Sequence, residues 1–218
     1  MGFKITGNAG TDAEVDGTTF RAVRITQRPV EYGALGAYTA SALSGTMAAG
    51  LAAASEIVQM RWTDATRYAL IYRITLDGMA GSATSFTAGF ANIQAMIARG
   101  WTADGSGGTA LTVTGNNQKL RTSMGTTLIG ALRASSTAAL TAGTKTLDAN
   151  PIGQIAFSVG TAASVIYVNR TTLYDAQEAG AHPIVLASNE GVIVRATVPA
   201  TGTWQFGVTI DWAEVSAF

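Results

Sequence analysis

The chain has 218 residues, no cysteine, and 14 basic against 14 acidic side chains. Missing cysteines exclude disulfides, thiol catalysis and Cys-based zinc sites, and balanced charge without a basic stripe excludes a nucleic-acid binder that neutralises phosphates. Only 13% of residues are charged, against roughly 25% in ordinary soluble domains, and so weakly charged a surface argues for burial in an assembly.

Residues 1–19 are rich in Gly, Asp and Thr, with turn chemistry at Gly7-Asn8-Ala9-Gly10 and at Asp16-Gly17. This polar lead carries Asp12 and Glu14 and reads as no signal peptide; the lack of cysteine fits a protein made in the cytoplasm. A first strand is expected over residues 19–27, stopped by Pro29, because proline lacks the donor a sheet ladder needs. Arg21, Arg24 and Arg28 make this stretch basic. It reads either as a solvated edge strand or as a docking arm on a neighbouring subunit or partner. The expected organisation is an extended N-terminal arm, residues 1–29, followed by one β-sandwich domain, residues 30–218.

Residues 32–55 carry no charge, yet they hold too much Gly, Ser and Thr for a transmembrane helix, so no membrane partner is expected. They read as a long loop lying on another surface. Tyr32, Leu35, Met47 and Leu51, with the three arginines, are the candidate assembly contacts. Strands are expected next at residues 56–62 and 67–76. Residues 90–98 fit a strand or a short helix, since Phe90, Ile93 and Ile97 also suit helical spacing. Further short strands are expected at 111–114, 128–134 and 144–147. A hairpin is expected to join 155–159 to 164–168 around Gly160-Thr161.

The C-terminal third is the most patterned. A strand starts at Pro183, a turn follows at Ser188-Asn189-Glu190-Gly191, and residues 192–198 alternate. Trp204, Phe206, Val208, Ile210 and Trp212 then occupy every second position, which gives a strand one heavy apolar face. These five are the expected core anchors. Their full burial contributes on the order of 10 kcal/mol before the entropy of ordering is subtracted. The last 36 residues read as a three-strand meander. Glu214 shares the Trp212 face at its end, where it is expected to meet solvent or an arginine. The spacing of strands and Gly-rich turns predicts a mainly β fold, an antiparallel β-sandwich resembling a jelly roll, with long loops.

Little of this carries chemistry. The sole histidine, His182, precedes Pro183 and reads as a turn residue, not a catalytic base. No phosphate loop follows the glycines at 105–108. Asp12, Glu14 and Asp16 alternate but lack the spacing of a calcium loop. Asn169-Arg170-Thr171 matches a glycosylation triplet by chance. Trp62, Trp101, Trp204 and Trp212 suit core or interface better than a sugar platform. No enzyme activity, cofactor or metal is expected.

Two segments carry a resemblance. One runs from Gly107-Gly108-Thr109 through Gly115-Asn116-Asn117 to Arg121-Thr122-Ser123-Met124-Gly125. The other joins His182-Pro183-Ile184-Val185-Leu186, Asn189-Glu190-Gly191 and Thr201-Gly202-Thr203-Trp204. With Ala139-Leu140-Thr141-Ala142-Gly143-Thr144 and Leu147-Asp148 between them, the chain from about Asp16 onward resembles a group of tailed-bacteriophage and prophage structural proteins. The resemblance implies a virion component made in the bacterial host. Its expected role is to decorate or cement the capsid as an oligomer, a homotrimer by analogy with viral jelly rolls, against the major capsid protein. A tail-fibre or host-attachment part is the alternative. The group supplies no catalytic residues to carry over.

Overall fold

The computed structural model describes residues 15–16, 22–23, 35–48, 51, 53–162, 165–180 and 182–216. The chain forms two units, Met1–Val30 and Glu31–Phe218. In the first, β1 (Val15–Asp16) and β2 (Ala22–Val23) form an antiparallel pair, with Val15 opposite Val23. The rest of the expected 19–27 strand, together with Arg21, Arg24, Arg28 and Tyr32, lies outside the described residues.

The second unit is mainly β, with no helix among its described residues. Its elements are β3 (Gly36–Leu43), β4 (Met47–Ala48), β5 (Ser55–Trp62), β6 (Tyr68–Gly81), β7 (Gly89–Ala103), β8 (Thr109–Ala110) and β9 (Ile129–Ala134). Next come β10 (Thr144–Leu147), β11 (Gly153–Val159), β12 (Ile166–Val168), β13 (Thr171–Asp175) and β14 (Ile184–Leu186). The chain closes with β15 (Glu190–Thr197) and β16 (Thr203–Val215). They build two antiparallel sheets that face each other as a sandwich. One has the order β10-β7-β15-β5-β9-β8, with β11 also on β7. The other has the order β12-β6-β16-β3, with β13 and β14 also on β6 and β4 on β16. Each sheet thus has a long strand, β6 or β7, with one long partner on one edge and a succession of short segments on the other.

The inward faces of both sheets merge into one apolar core. Trp204, Phe206, Val208, Ile210 and Trp212 are each 2% exposed or less. Their alternation survives because the two irregularities between β16 and β6 both add a residue to β6. Gly207 pairs Gly78 while Val208 pairs Leu76, so Asp77 is extra; Asp211 pairs Arg73 while Trp212 pairs Ile71, so Tyr72 is extra. A bulge residue reverses the facing of everything beyond it. The core residues of β6 accordingly run Ala69, Ile71, then Ile74, Leu76, then Met79.

Several expectations are corrected. The supposed loop at residues 32–55 contains β3 and β4, both paired with β16. Its Gly and Ala residues carry little strand preference, and the edge of β16 pairs them into the sheet. Met47 is fully buried and Leu51 is 7% exposed, so both serve this chain's own core and not a neighbour, while Leu35 is half-buried. Residues 90–98 are strand, inside β7. Residues 111–114 lie outside any strand, after the short β8. The 155–168 hairpin does not form, because β11 pairs β7 in one sheet and β12 pairs β6 in the other. The C-terminal meander does not form either. Both edges of β15 are occupied, by β5 and by β7, so neither β14 nor β16 has an edge to join. The last three strands instead alternate between the two sheets.

Candidate interaction surface

The outer face of the β16 sheet is divided. Around Asp211 it is polar: Thr39 Oγ1 donates to Asp211 Oδ1 at 2.6 Å, and Arg73 Nε and a terminal guanidinium nitrogen reach Oδ2 at 2.9 and 2.8 Å. Toward the other end it is apolar and open. Gly78 pairs Gly207 across β6 and β16, and neither has a side chain to cover the sheet. A glycine inside a strand marks a place where something else comes close to the backbone.

The walls of this trough are apolar. Leu43, paired with Gly207 from β3, is 78% exposed; Ile166, paired with Ala80 from β12, is 67% exposed. Asp77, Asn169 and Gln205 border it. Asp77 is the bulge residue noted above; Thr209 Oγ1 donates to its carboxylate, and Arg170 Nε lies 3.6 Å from it. Large aliphatic side chains left this open on the two sides of one groove mark a contact surface more than a solvated one. On the other sheet Phe90 is 80% exposed, on the face opposite the buried Ala91.

Two buried polar side chains, Glu214 and Tyr38, are held by hydrogen bonds. Glu214 is 1% exposed, not at solvent as its place at the strand end suggested. The segment before β9 covers it. Its Oε1 accepts from Thr127 Oγ1, from Leu128 N at 3.0 Å and from Trp212 Nε1 at 3.3 Å. Burial raises its pKa; the Thr127, Leu128 and Trp212 hydrogen bonds oppose the rise, and the Asp64 charge adds to it. Tyr38, paired with Trp212, stacks on its indole with ring centroids 5.4 Å apart and donates its hydroxyl to Gly125 O at 3.0 Å. Burial, then the Glu214 charge, pushes the Tyr38 phenol up to about 12.

The other candidates are placed as follows. His182 Nδ1 lies 2.8 Å from Pro183 O, and the His182 carbonyl accepts from Tyr174 OH at 2.6 Å. All four tryptophans are buried below 2% exposure, which leaves none to stack on a sugar at this chain's surface. Among the described residues, no group of three or more His, Asp or Glu side chains is placed to hold a metal ion, and no helix is long and apolar enough to cross a membrane. Asp12 and Glu14 lie outside the described residues.

Leu43, Ile166, Gly78 and Gly207 escaped the sequence reading as a site because they belong to four separate strands. The one local signal was glycine inside two apolar runs. No protein-family model matches the chain, and no curated protein matches it.

Proposed function

We propose that this chain is a structural virion protein of a tailed bacteriophage that decorates or cements the capsid as an oligomer. The observation that carries this reading is the apolar trough on the outer face of the β16 sheet, walled by Leu43 and Ile166 and floored by Gly78 and Gly207. Such a surface calls for a protein neighbour, and the low charge of the whole chain points the same way. The sandwich serves as a jelly-roll-like building block, the expected assembly is a homotrimer, and the outer neighbour is the major capsid protein. All four tryptophans are buried, which removes them as sugar-stacking faces for the attachment-fibre reading.

Light scattering coupled to size exclusion, followed by sedimentation with capsids lacking this protein, tests the reading. Oligomers that bind the capsid shell, and lose both properties in the double variant Leu43→Asp/Ile166→Asp, are the expected result. A monomer that ignores capsids, or a protein located only at the tail tip in a particle reconstruction, would overturn it.

A further inference from the structure

Glu56 and Gln59 lie three residues apart on β5, a spacing that in an unbroken strand sends side chains to opposite faces. The strand is not unbroken. Val194 pairs Val58 while Arg195 pairs Glu56, so Ile57 is an extra residue in β5. Ile57 and Val58 both enter the core, and the facing reverses there. The Glu56 carboxylate and the Gln59 carboxamide therefore stand together on the outer face of the sheet.

A lysine from a distant strand completes the cluster. Gln59 Nε2 donates to Glu56 Oε2 at 2.6 Å, and Lys145 Nζ, from β10, reaches the same oxygen at 2.8 Å. The Trp101 ring lies against the amine, with its centroid 4.6 Å from Nζ. The segment before β10 roofs the site. Leu140 N donates to Glu56 O at 2.9 Å, Thr141 O accepts from Gln59 Nε2 at 2.7 Å, and Ala142 O accepts from Lys145 Nζ. The Gly105 backbone presses on the carboxamide so closely that a Cβ there would lie 2.5 Å from Gln59 Oε1. Water is excluded: Gln59 is 3% exposed, and the side chains of Lys145 and Glu56 are 2% and 9% exposed.

A buried ion pair by itself adds little stability, because desolvation offsets its attraction. This cluster holds more than a pair. It places an amine and a primary carboxamide on one carboxylate oxygen in a dry site, the set of groups that amide exchange requires. We propose that Lys145 and Gln59 are joined by an intramolecular isopeptide bond, with Glu56 as the proton-transfer group.

The step balances without any added reagent. Glu56 takes a proton from the Lys145 ammonium, and the freed Nζ lone pair attacks Gln59 Cδ to form the new C–N bond. Glu56 hands that proton to Nε2, and the Cδ–Nε2 bond breaks to release ammonia. Glu56 then relays a second proton from the attacking nitrogen to that ammonia, which departs as an ammonium ion. An ammonium and a primary amide become a secondary amide and a new ammonium, and Glu56 ends as it began. Nothing is oxidised or reduced. The fold supplies what the reaction lacks in water: both reactants gathered on one carboxylate oxygen, which lies within hydrogen-bond reach of both nitrogens. The product staples β10, at the sheet edge, to β5, with β7 and β15 between them in the sheet order.

Intact-mass spectrometry of the full folded chain tests this. The expected mass is one ammonia below that of the sequence, with a branched tryptic peptide that contains both Gln59 and Lys145. Glu56→Gln and Lys145→Arg should both return to the unlinked mass. Lys145→Arg keeps the positive charge, so it carries the test if Glu56→Gln does not fold, and its circular dichroism spectrum verifies the native state. An unlinked mass in the wild-type chain after prolonged incubation overturns the proposal. So does an ammonia loss that persists in Lys145→Arg, which would belong to cyclisation elsewhere. Loss of a water, with Lys145 joined to Glu56, overturns the role given to Gln59.

Discussion

Gly78 and Gly207 stand opposite each other on β6 and β16, and the bare strip of backbone they leave is the floor of the apolar trough. A Cβ at Gly78 would find its nearest neighbour, Val168 O, at 3.5 Å, an ordinary contact. The position has no positive φ. Gly78→Leu should therefore fill the trough and leave the sandwich intact. The expected outcome is an unchanged melting curve with loss of oligomer and of capsid binding, read by light scattering and co-sedimentation.

The trough walls give a complementary prediction. Leu43→Asp and Ile166→Asp change side chains that are 78% and 67% exposed. Each should shift stability by no more than about 0.5 kcal/mol, the usual range for exposed sites. Each should weaken association strongly, because a carboxylate would have to be desolvated in the contact. Chemical denaturation of the monomer, set against the concentration dependence of assembly, separates the two effects.

Glu214 gives a pH signature. Burial, the largest influence, raises its folded-state pKa above the ordinary 4.5. The folded chain then keeps this proton after the unfolded chain has released it. The stabilisation is complete below about 4.5 and is lost as pH rises through the higher folded value. The melting temperature of the wild type, measured against that of Glu214→Gln, should fall from acid toward neutral pH. Parallel curves for the two proteins would contradict the assignment.

At the other end of the same cluster, Tyr38 has a phenol pushed up to about 12 from 10.0. By the same sign, its contribution is complete below 10.0 and is lost as pH rises through about 12. Tyr38→Phe should cost about 1 kcal/mol through the lost hydrogen bond to Gly125 and should flatten the alkaline limb of the stability profile. Trp212→Ala, which removes the stacked indole, should cost about 3–5 kcal/mol in urea denaturation.

Gly191 is a packing glycine. A Cβ there would lie 2.2 Å from Met60 O and 2.7 Å from the Trp101 ring. Gly191→Ala should destabilise by about 1–3 kcal/mol, the ordinary cost of overpacking. Gly160→Ala, with nothing within 4 Å, is the control and should be close to neutral.

How much of this was legible in the sequence depends on where the irregularities fall. β16 reads correctly from its residues alone because both bulges it meets lie on its neighbour. β6 carries them, and its core residues change facing twice, so no single period describes it. The same cause hid the Glu56–Gln59 pair: the extra residue at Ile57 is visible only against β15. Residues 36–43 read as loop because half of them are Gly or Ala, which are depleted in strands, and the long edge of β16 makes a strand of them.

The residues by themselves determined that this is a β-rich chain, which strand carries the heavy core face, and that no chemical motif announces itself. Side-chain alternation and turn composition are local, so they survive in one dimension. Strand partnership is not local. It depends on which edge is still free once other strands have paired, and only the assembled sheets decide that. Pairing placed the last three strands in alternate sheets, opened the trough between four strands, and brought Lys145 of β10 onto a carboxylate of β5, two intervening strands away.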